Sequence, residues 1–246
     1  MQTTVMRFVK RLGALMSAMP LPCLLTALLL STGSAHAATM RQLRDAGGTR
    51  VVVLRGVGEL QVTQGDSESL EIEAEPRLLP QISTRLQQGV LYIETQGSIS
   101  TVEPLRYRLT VRALDTLRIA GSAHATAGPL RADTLTLTLD GSVSAHLEGL
   151  QARSLKVSMT GASRAEIGEG SVDEQELAIH GAGSYGAELL ASRHVTANIG
   201  GSGRASVSAS EALDAEVSGG ASLHYRGRPR LTRTVHGAAS ITRLGD

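Results

Sequence analysis

Leu117-Arg118-Ile119-Ala120-Gly121, Leu137-Thr138-Leu139-Asp140-Gly141, Val157-Ser158-Met159-Thr160-Gly161, Leu177-Ala178-Ile179-His180-Gly181 and Ala197-Asn198-Ile199-Gly200-Gly201 are five copies of one phrase. Two looser copies follow, Ala215-Glu216-Val217-Ser218-Gly219 and Arg233-Thr234-Val235-His236-Gly237. The marker glycines lie 20, 20, 20, 20, 18 and 18 residues apart. A fixed period of this length marks a solenoid of stacked coils.

Each copy has the same internal order. Apolar residues stand six, four and two positions before the glycine, as in Leu155, Val157 and Met159 or Leu213, Ala215 and Val217. That is the two-residue period of a β-strand. Small residues follow the glycine, then an alternating pair such as Ala165 and Ile167 or Leu223 and Tyr225. Each repeat thus predicts about two short strands joined at a Gly/Ser/Ala corner. Glycine suits a corner that needs positive φ or close backbone approach. One repeat cannot bury its own apolar row, whereas copies stacked ~4.8 Å apart can.

Before the array, residues 38–49 read as a flexible lead-in. Val52, Leu54, Gly56, Leu60 and Val62 repeat the coil spacing, as a separate coil ahead of the array. Gln64-Gly65-Asp66 is a turn. Leu70, Ile72 and Ala74 alternate with Glu71, Glu73 and Glu75, predicting a half-buried strand with an acidic outer face. Pro76 to Pro80 breaks the pattern and leads into a short helix reaching Leu86. A turn at Gln87-Gln88-Gly89 opens the next strand, Gly97 to Pro104 is a loop, and Leu105 to Val111 forms the last strand before the array.

The first 37 of the 246 residues have the pattern of a secretory leader. Arg7, Lys10 and Arg11 precede an apolar stretch from Leu12 to Leu30, and Ala35-His36-Ala37 offers a small-x-small cleavage site. An uncleaved anchor is disfavoured by Pro20 and Pro22. The lone cysteine, Cys23, lies in this leader, so the mature chain is expected without thiol or disulfide. Cleavage removes three of 24 basic residues and none of the 23 acidic ones, leaving a net charge of −2. That is no electrostatic footprint for nucleic acid. Phe8 leaves too, so the mature core is aliphatic apart from four tyrosines.

Several passages together resemble one known family. They are Gly58-Glu59-Leu60-Gln61-Val62-Thr63-Gln64-Gly65-Asp66, the strand Leu70 to Glu75, the break at Leu78-Leu79-Pro80, and Gly89-Val90-Leu91-Tyr92-Ile93-Glu94-Thr95. Leu109-Thr110-Val111 and Leu117-Arg118-Ile119-Ala120-Gly121-Ser122-Ala123 follow, ahead of the glycine repeats. In order and spacing they are similar to the GIN domain, the head domain of autotransporter adhesins, over nearly all of residues 50–246. The resemblance implies an exported bacterial protein of stacked, right-handed β-coils. It supplies no catalytic residue and no ligand. No translocator barrel is expected in this chain, which runs from the last repeat to Asp246.

Motifs that could carry chemistry are weak. Gly181-Ala182-Gly183-Ser184-Tyr185-Gly186 fits GxGxxG, but a dinucleotide site needs a helix next. Here Ala187 and Leu189 resume a strand, with Ala182 and Gly183 counted as two extra corner residues. Six histidines remain after cleavage, His124, His146, His180, His194, His224 and His236. His180 and His236 share a column about 14 Å apart, and His146 and His224 another about 19 Å apart, at ~4.8 Å per coil. Neither pair can share a zinc, whose nitrogens lie about 2.1 Å away. Asp140 has no acidic neighbour in its column, whereas glycoside hydrolysis takes two carboxylates. No Ser sits in a G-x-S-x-G elbow. The corners lack the Asp of calcium-binding repeats. Tyr185 and Tyr225 are the only aromatics of the array, Tyr225 at an inward position.

The expectation is therefore an all-β, parallel β-helix-like solenoid of ~20-residue coils, with residues 50–116 as an atypical cap and 117–246 as tandem repeats. No cofactor, no metal and no membrane span in the mature form are expected. The leading function is a non-enzymatic envelope or cell-surface interaction protein. Its partner would be a protein or polysaccharide of the periplasm or surface, met on a flat outer face through Thr138, Asp140, Ser158, Thr160, His180 and Asn198. A polysaccharide-acting β-helix enzyme and a purely structural periplasmic module remain open beside it.

Overall fold

In the structure, a computed structural model, residues 39–97, 99, 100 and 103–245 are described. The expected leader, its cleavage site after Ala37 and Cys23 lie outside these residues.

The array folds as its period demands. Strands β7 (Thr116–Ala127), β8 (Leu130–Gly141), β9 (Ser144–Gly161), β10 (Arg164–Gly181), β11 (Ser184–Gly201) and β12 (Arg204–Gly219) lie parallel, one coil above the next. Three short strands complete the stack: β13 (Ser222–Arg226), β14 (Arg230–Gly237) and β15 (Ser240–Arg243). Register follows the sequence repeat residue for residue: Gly121 pairs with Gly141, Gly141 with Gly161, Gly161 with Gly181 and Gly181 with Gly201.

Gly141 explains why glycine marks the corner. Its φ is +100°, and a Cβ there would stand 2.5 Å from the carbonyl oxygen of Gly121. No side chain fits without opening the gap between coils. The tight corner keeps the ladder unbroken, since Ser142 N donates to Gly121 O at 2.9 Å and Ala162 N to Gly141 O at 3.0 Å.

Inward columns fill the core. Leu135, Leu155, Val195 and Leu213 stack in one, and Ile119, Leu139, Met159, Ile179, Ile199 and Val217 in another, all at 1% exposure or less. Aliphatic columns of this kind form one continuous core along the stack.

The N-terminal section is organised by β2 (Val51–Gln64). It lies parallel to β7 with Gly56 opposite Gly121, so the coil read as separate is the first rung of the stack itself. On its other side its first half pairs with β5 (Val90–Thr95) and its second half with β6 (Arg106–Val111). The last strand before the array in sequence thus lies on the far side of β2 in space. β3 (Ser69–Ala74) runs antiparallel to β6, and β1 (Met40–Arg44) antiparallel to β3. β4 (Ile82–Gln87) forms a hairpin with β5 through Gln88 and Gly89, both at positive φ as a tight primed turn requires.

Three expectations for this section change. The lead-in is partly a strand, because β1 finds a ladder along β3. The helix expected to reach Leu86 is one 3-10 turn, Leu79–Gln81, after which Ile82 begins β4. The pull of the hairpin pairing with β5 overrides the helical reading. The acidic face of β3 is not solvated either: Glu73 and Glu75 are buried, and Glu71 is half-buried.

Candidate interaction face

Three outward columns run side by side along the broad face that precedes the glycine corner. The first passes through Thr136, Lys156, Glu176, Thr196, Asp214 and Thr232. The second passes through Arg118, Thr138, Ser158, Ala178, Asn198, Glu216 and Thr234. The third holds Ala120, Asp140, Thr160, His180 and Gly200. All six predicted contact residues lie here, on two adjacent columns. Asp140, His180 and Asn198 are exposed, while Thr138, Ser158 and Thr160 are partly covered by their neighbours.

Local contacts knit the face. The Thr160 hydroxyl donates to Asp140 Oδ1 at 2.6 Å, and Lys156 Nζ lies 3.0 Å from Glu176 Oε2. Gly200 leaves a shallow notch between His180 and Ser218, where an added Cβ would stand 3.7 and 3.5 Å from their polar atoms. Thr138, Ser158, Thr160 and Asn198 are short and polar, while Arg118, Lys156, Glu176 and Glu216 on the same columns are long and charged. His180 and His236 are three coils apart, as the period predicts.

A second face follows the corner. One of its columns runs Glu59, His124, Ser144, Arg164, Ser184, Arg204 and Ser222. Its neighbour runs Gln61, Thr126, His146, Glu166, Gly186, Ser206 and His224. His124 Nδ1 lies 2.5 Å from Ser144 Oγ. Glu59, the register neighbour of His124 on β2, is engaged by Arg106 at 3.2 Å. A groove of about 510 Å³ crosses this region between Gly58, His124, Ser144 and Arg164.

Two charged assemblies escaped the sequence reading. Asp133, Arg153, Asp173, Arg193 and Glu211 alternate in sign up one corner of successive coils. Arg153 is bound to Asp133 at 2.9 Å, and Arg193 lies between Asp173 at 3.5 Å and Glu211 at 2.8 Å. Their recurrence every 20 residues, then 18, is a signal the apolar pattern hides. The second assembly explains the buried acids of β3. Arg108 Nη1 donates to Glu71 and Glu73, each at 2.7 Å, and Arg41 adds a contact to Glu73 at 3.5 Å. The hydrogen bond from Arg108 holds the Glu73 carboxyl below the usual carboxylate range. Arg77 meets Glu75 at 2.7 Å.

The glycine-rich GxGxxG stretch is a corner and a strand. Ser184 and Tyr185 pair with Arg164 and Ala165, so Ala182 and Gly183 are the ordinary corner residues and nothing is inserted. Tyr185 therefore points into the core at 2% exposure, where it cannot stack on a sugar, and Leu189 points out at 60%. Among the described residues no three His, Cys, Asp or Glu side chains group as a metal set, and no helix is long and apolar enough to cross a membrane.

Residues 50–229 match the family described as "Putative auto-transporter adhesin, head GIN domain". No curated protein matches the chain. Among solved structures, a putative adhesin from Bacteroides fragilis superposes with a TM-score of 0.75 at 19% identity, covering 85% of this chain and 98% of its own. A putative adhesin from Parabacteroides distasonis gives 0.67 at 17% identity, over 85% of this chain and 98% of that one. A structure from the same species titled as a putative lipid binding protein gives 0.65 at 19% identity, over 84% and 97%. At these identities the structures speak for the fold. The family match, which spans well over half the sequence, places the chain: it belongs to the GIN-domain family of auto-transporter adhesin heads.

Proposed function

We propose that this protein is a non-enzymatic, exported interaction module of the cell envelope or surface, which holds its partner on the broad face before the glycine corner. The observation that carries the reading is the alignment of Thr138, Ser158 and Asn198 in one level column, beside Asp140, Thr160 and His180 in the next. Such a face offers many short hydrogen-bonding groups at a fixed ~4.8 Å spacing. An extended polymer, protein or polysaccharide, fits a surface that repeats in one direction. The adhesin names of the family and of two structural neighbours support an attachment role.

The test is a pair of bulky substitutions on one column, Ser158→Arg with Asn198→Arg. Both positions point outward, so the fold tolerates them. Attachment of the purified protein to envelope preparations should fall while its melting temperature holds. Undiminished attachment would remove this face from the account.

A further inference from the structure

The second face has a step in it. From β11 to β12 the register runs Ala187 with Val207 and then Ala191 with Ser208, so Glu188, Leu189 and Leu190 have no counterpart in the next coil. This is where the glycine spacing drops from 20 to 18 residues. The shorter coil cuts the corner and leaves these residues as a ledge. Leu190 still points inward and is fully buried, while Leu189 is 60% exposed. A groove of about 410 Å³ lies beside the ledge, lined by Leu189, Glu188 and Gly186 and by Arg204 and Ser206 of the next coil. Gly186 is the one bare position in its column, between Glu166 and Ser206. Charge on this face divides at the step. On the coils up to the ledge it carries Glu148, Glu166, Glu169 and Glu188 against one arginine, Arg164. Beyond the ledge, residues 204–210 and 222–226 carry Arg204 and Arg226 and no acid. Arg164 and His146 both lie by Glu166, at 3.5 and 3.7 Å. Among the described residues no ion pair engages Arg204 or Glu188.

We propose that two copies of the chain pair through this second face, their stacks antiparallel, about a two-fold axis over Gly186. A two-fold contact makes one surface its own partner, so the two halves of the face must match each other. Here they do. Arg204 stands one coil above Gly186 and two residues to one side, and Gly168 one coil below and two residues to the other. Rotation about Gly186 therefore sets Arg204 over the other copy's Gly168, a bare position with Glu148 and Glu188 on either side in its column and Glu169 next to it. The guanidinium gains charge-assisted hydrogen bonds to those carboxylates. Leu189 falls on the other copy's Ala182-Gly183 corner and is taken out of water. Arg164 and Arg226 fall opposite Ser208 and Ser144, Glu166 opposite Ser206 and His146 opposite His224, so no arginine faces an arginine and no glutamate a glutamate. Gly186 meets Gly186 on the axis, where the absence of side chains lets the faces close. A partner of a single charge sign would meet its own sign on one half of the face, which selects a second copy as the occupant. The pairing leaves both broad faces uncovered and does not rest on their role.

Sedimentation velocity over a dilution series of the purified protein tests the proposal. The chain should sediment as a dimer that dissociates on dilution. Leu189→Asp, Arg204→Glu and Gly186→Gln should each raise the dissociation constant at least tenfold, while circular dichroism shows the strand content kept. Gly186 tolerates a side chain, since its φ is not left-handed and an added Cβ would stand no closer than 3.5 Å to Glu188 Oε2. Adding Glu188→Arg to Arg204→Glu should tighten the dimer at least threefold over Arg204→Glu alone, because the exchanged charges meet again across the axis. Thr196→Arg, on the broad face, should leave the dissociation constant unchanged. A monomer at every concentration would overturn the proposal. So would a dimer that all three second-face variants leave intact, or one that Thr196→Arg abolishes, which would move the contact to the broad face.

Discussion

Gln175 donates a 2.7 Å hydrogen bond to the Tyr185 hydroxyl inside a largely aliphatic core. Gln175 occupies the column of Leu155 and Val195, and Tyr185 that of Ala165 and Ala205. The Ser192 hydroxyl completes the relay by donating to Gln175 Oε1 at 2.7 Å. A polar residue is tolerated in one column because the facing column supplies its partner in the next coil.

Breaking that pair should cost more than removing it. Tyr185→Phe leaves the Gln175 amide without its acceptor, a loss of about 1–3 kcal/mol. Gln175→Leu similarly strands the Tyr185 hydroxyl. The double variant should be closer to the wild type than the sum of the singles, as read by urea denaturation and a double-mutant cycle.

Alkaline pH should unfold the protein through its tyrosines. Burial pushes the hydroxyls of Tyr107 and Tyr185 up from their usual range, and the bond from Gln175 offsets part of this for Tyr185. The folded state therefore keeps protons that the unfolded chain releases above pH ~10. Stability is whole below that pH and falls as pH rises beyond it, by at most about 1.4 kcal/mol per unit for each tyrosine. Tyr107→Phe should flatten the fall measured in denaturant titrations between pH 9 and 11 (approximate settings, ~1 unit either side of the free value). An unchanged slope would contradict the assignment.

Two glycines should behave oppositely. Gly141→Ala forces a Cβ towards Gly121 O at a φ of +100°, and should cost about 2 kcal/mol or more. Gly128 has ordinary φ and nothing within 4 Å of an added Cβ. Gly128→Ala should be neutral or stabilising by about 0.5 kcal/mol. Thermal melts of the two variants give the comparison.

Ile179 is fully buried and Ala178, its neighbour, lies on the outer face. Ile179→Asp sets an unpaired carboxylate between coils and should cost about 3 kcal/mol or more. Ala178→Asp should shift the melting temperature little. Equal shifts would place the strand one residue out of register.

These residues also show what sequence could and could not convey. Ile179 was legible because a two-residue period and a 20-residue repeat agree on it. Tyr185 was not: it stands four residues after Gly181, the inward place of Ala165 and Ala205, and was obscured by the GxGxxG match that counts Ala182 and Gly183 as extra. Glu73 and Glu75 look like a solvated edge, since their burial depends on β1, β6 and Arg77, partners remote in sequence or hidden in a loop. The helix expected before Leu86 failed for the same reason, a pairing with β5 that local pattern does not reveal. For the candidate face, period two dictated that Thr138, Ser158 and Asn198 point outward. Affinity for a partner is a different property, since a hydrated column and a binding column have the same alternation.

Site-directed photocrosslinking tests the central claim most directly. A photoreactive residue is placed in turn at Thr138, Ser158 and Asn198 on the broad face, and at Gln61 and Ser206 on the second face, and each protein is irradiated on envelope preparations. The account predicts one common envelope adduct from the three broad-face positions and none from the other two. An envelope adduct formed from Gln61 and Ser206, with none from Ser158 and Asn198, would contradict it.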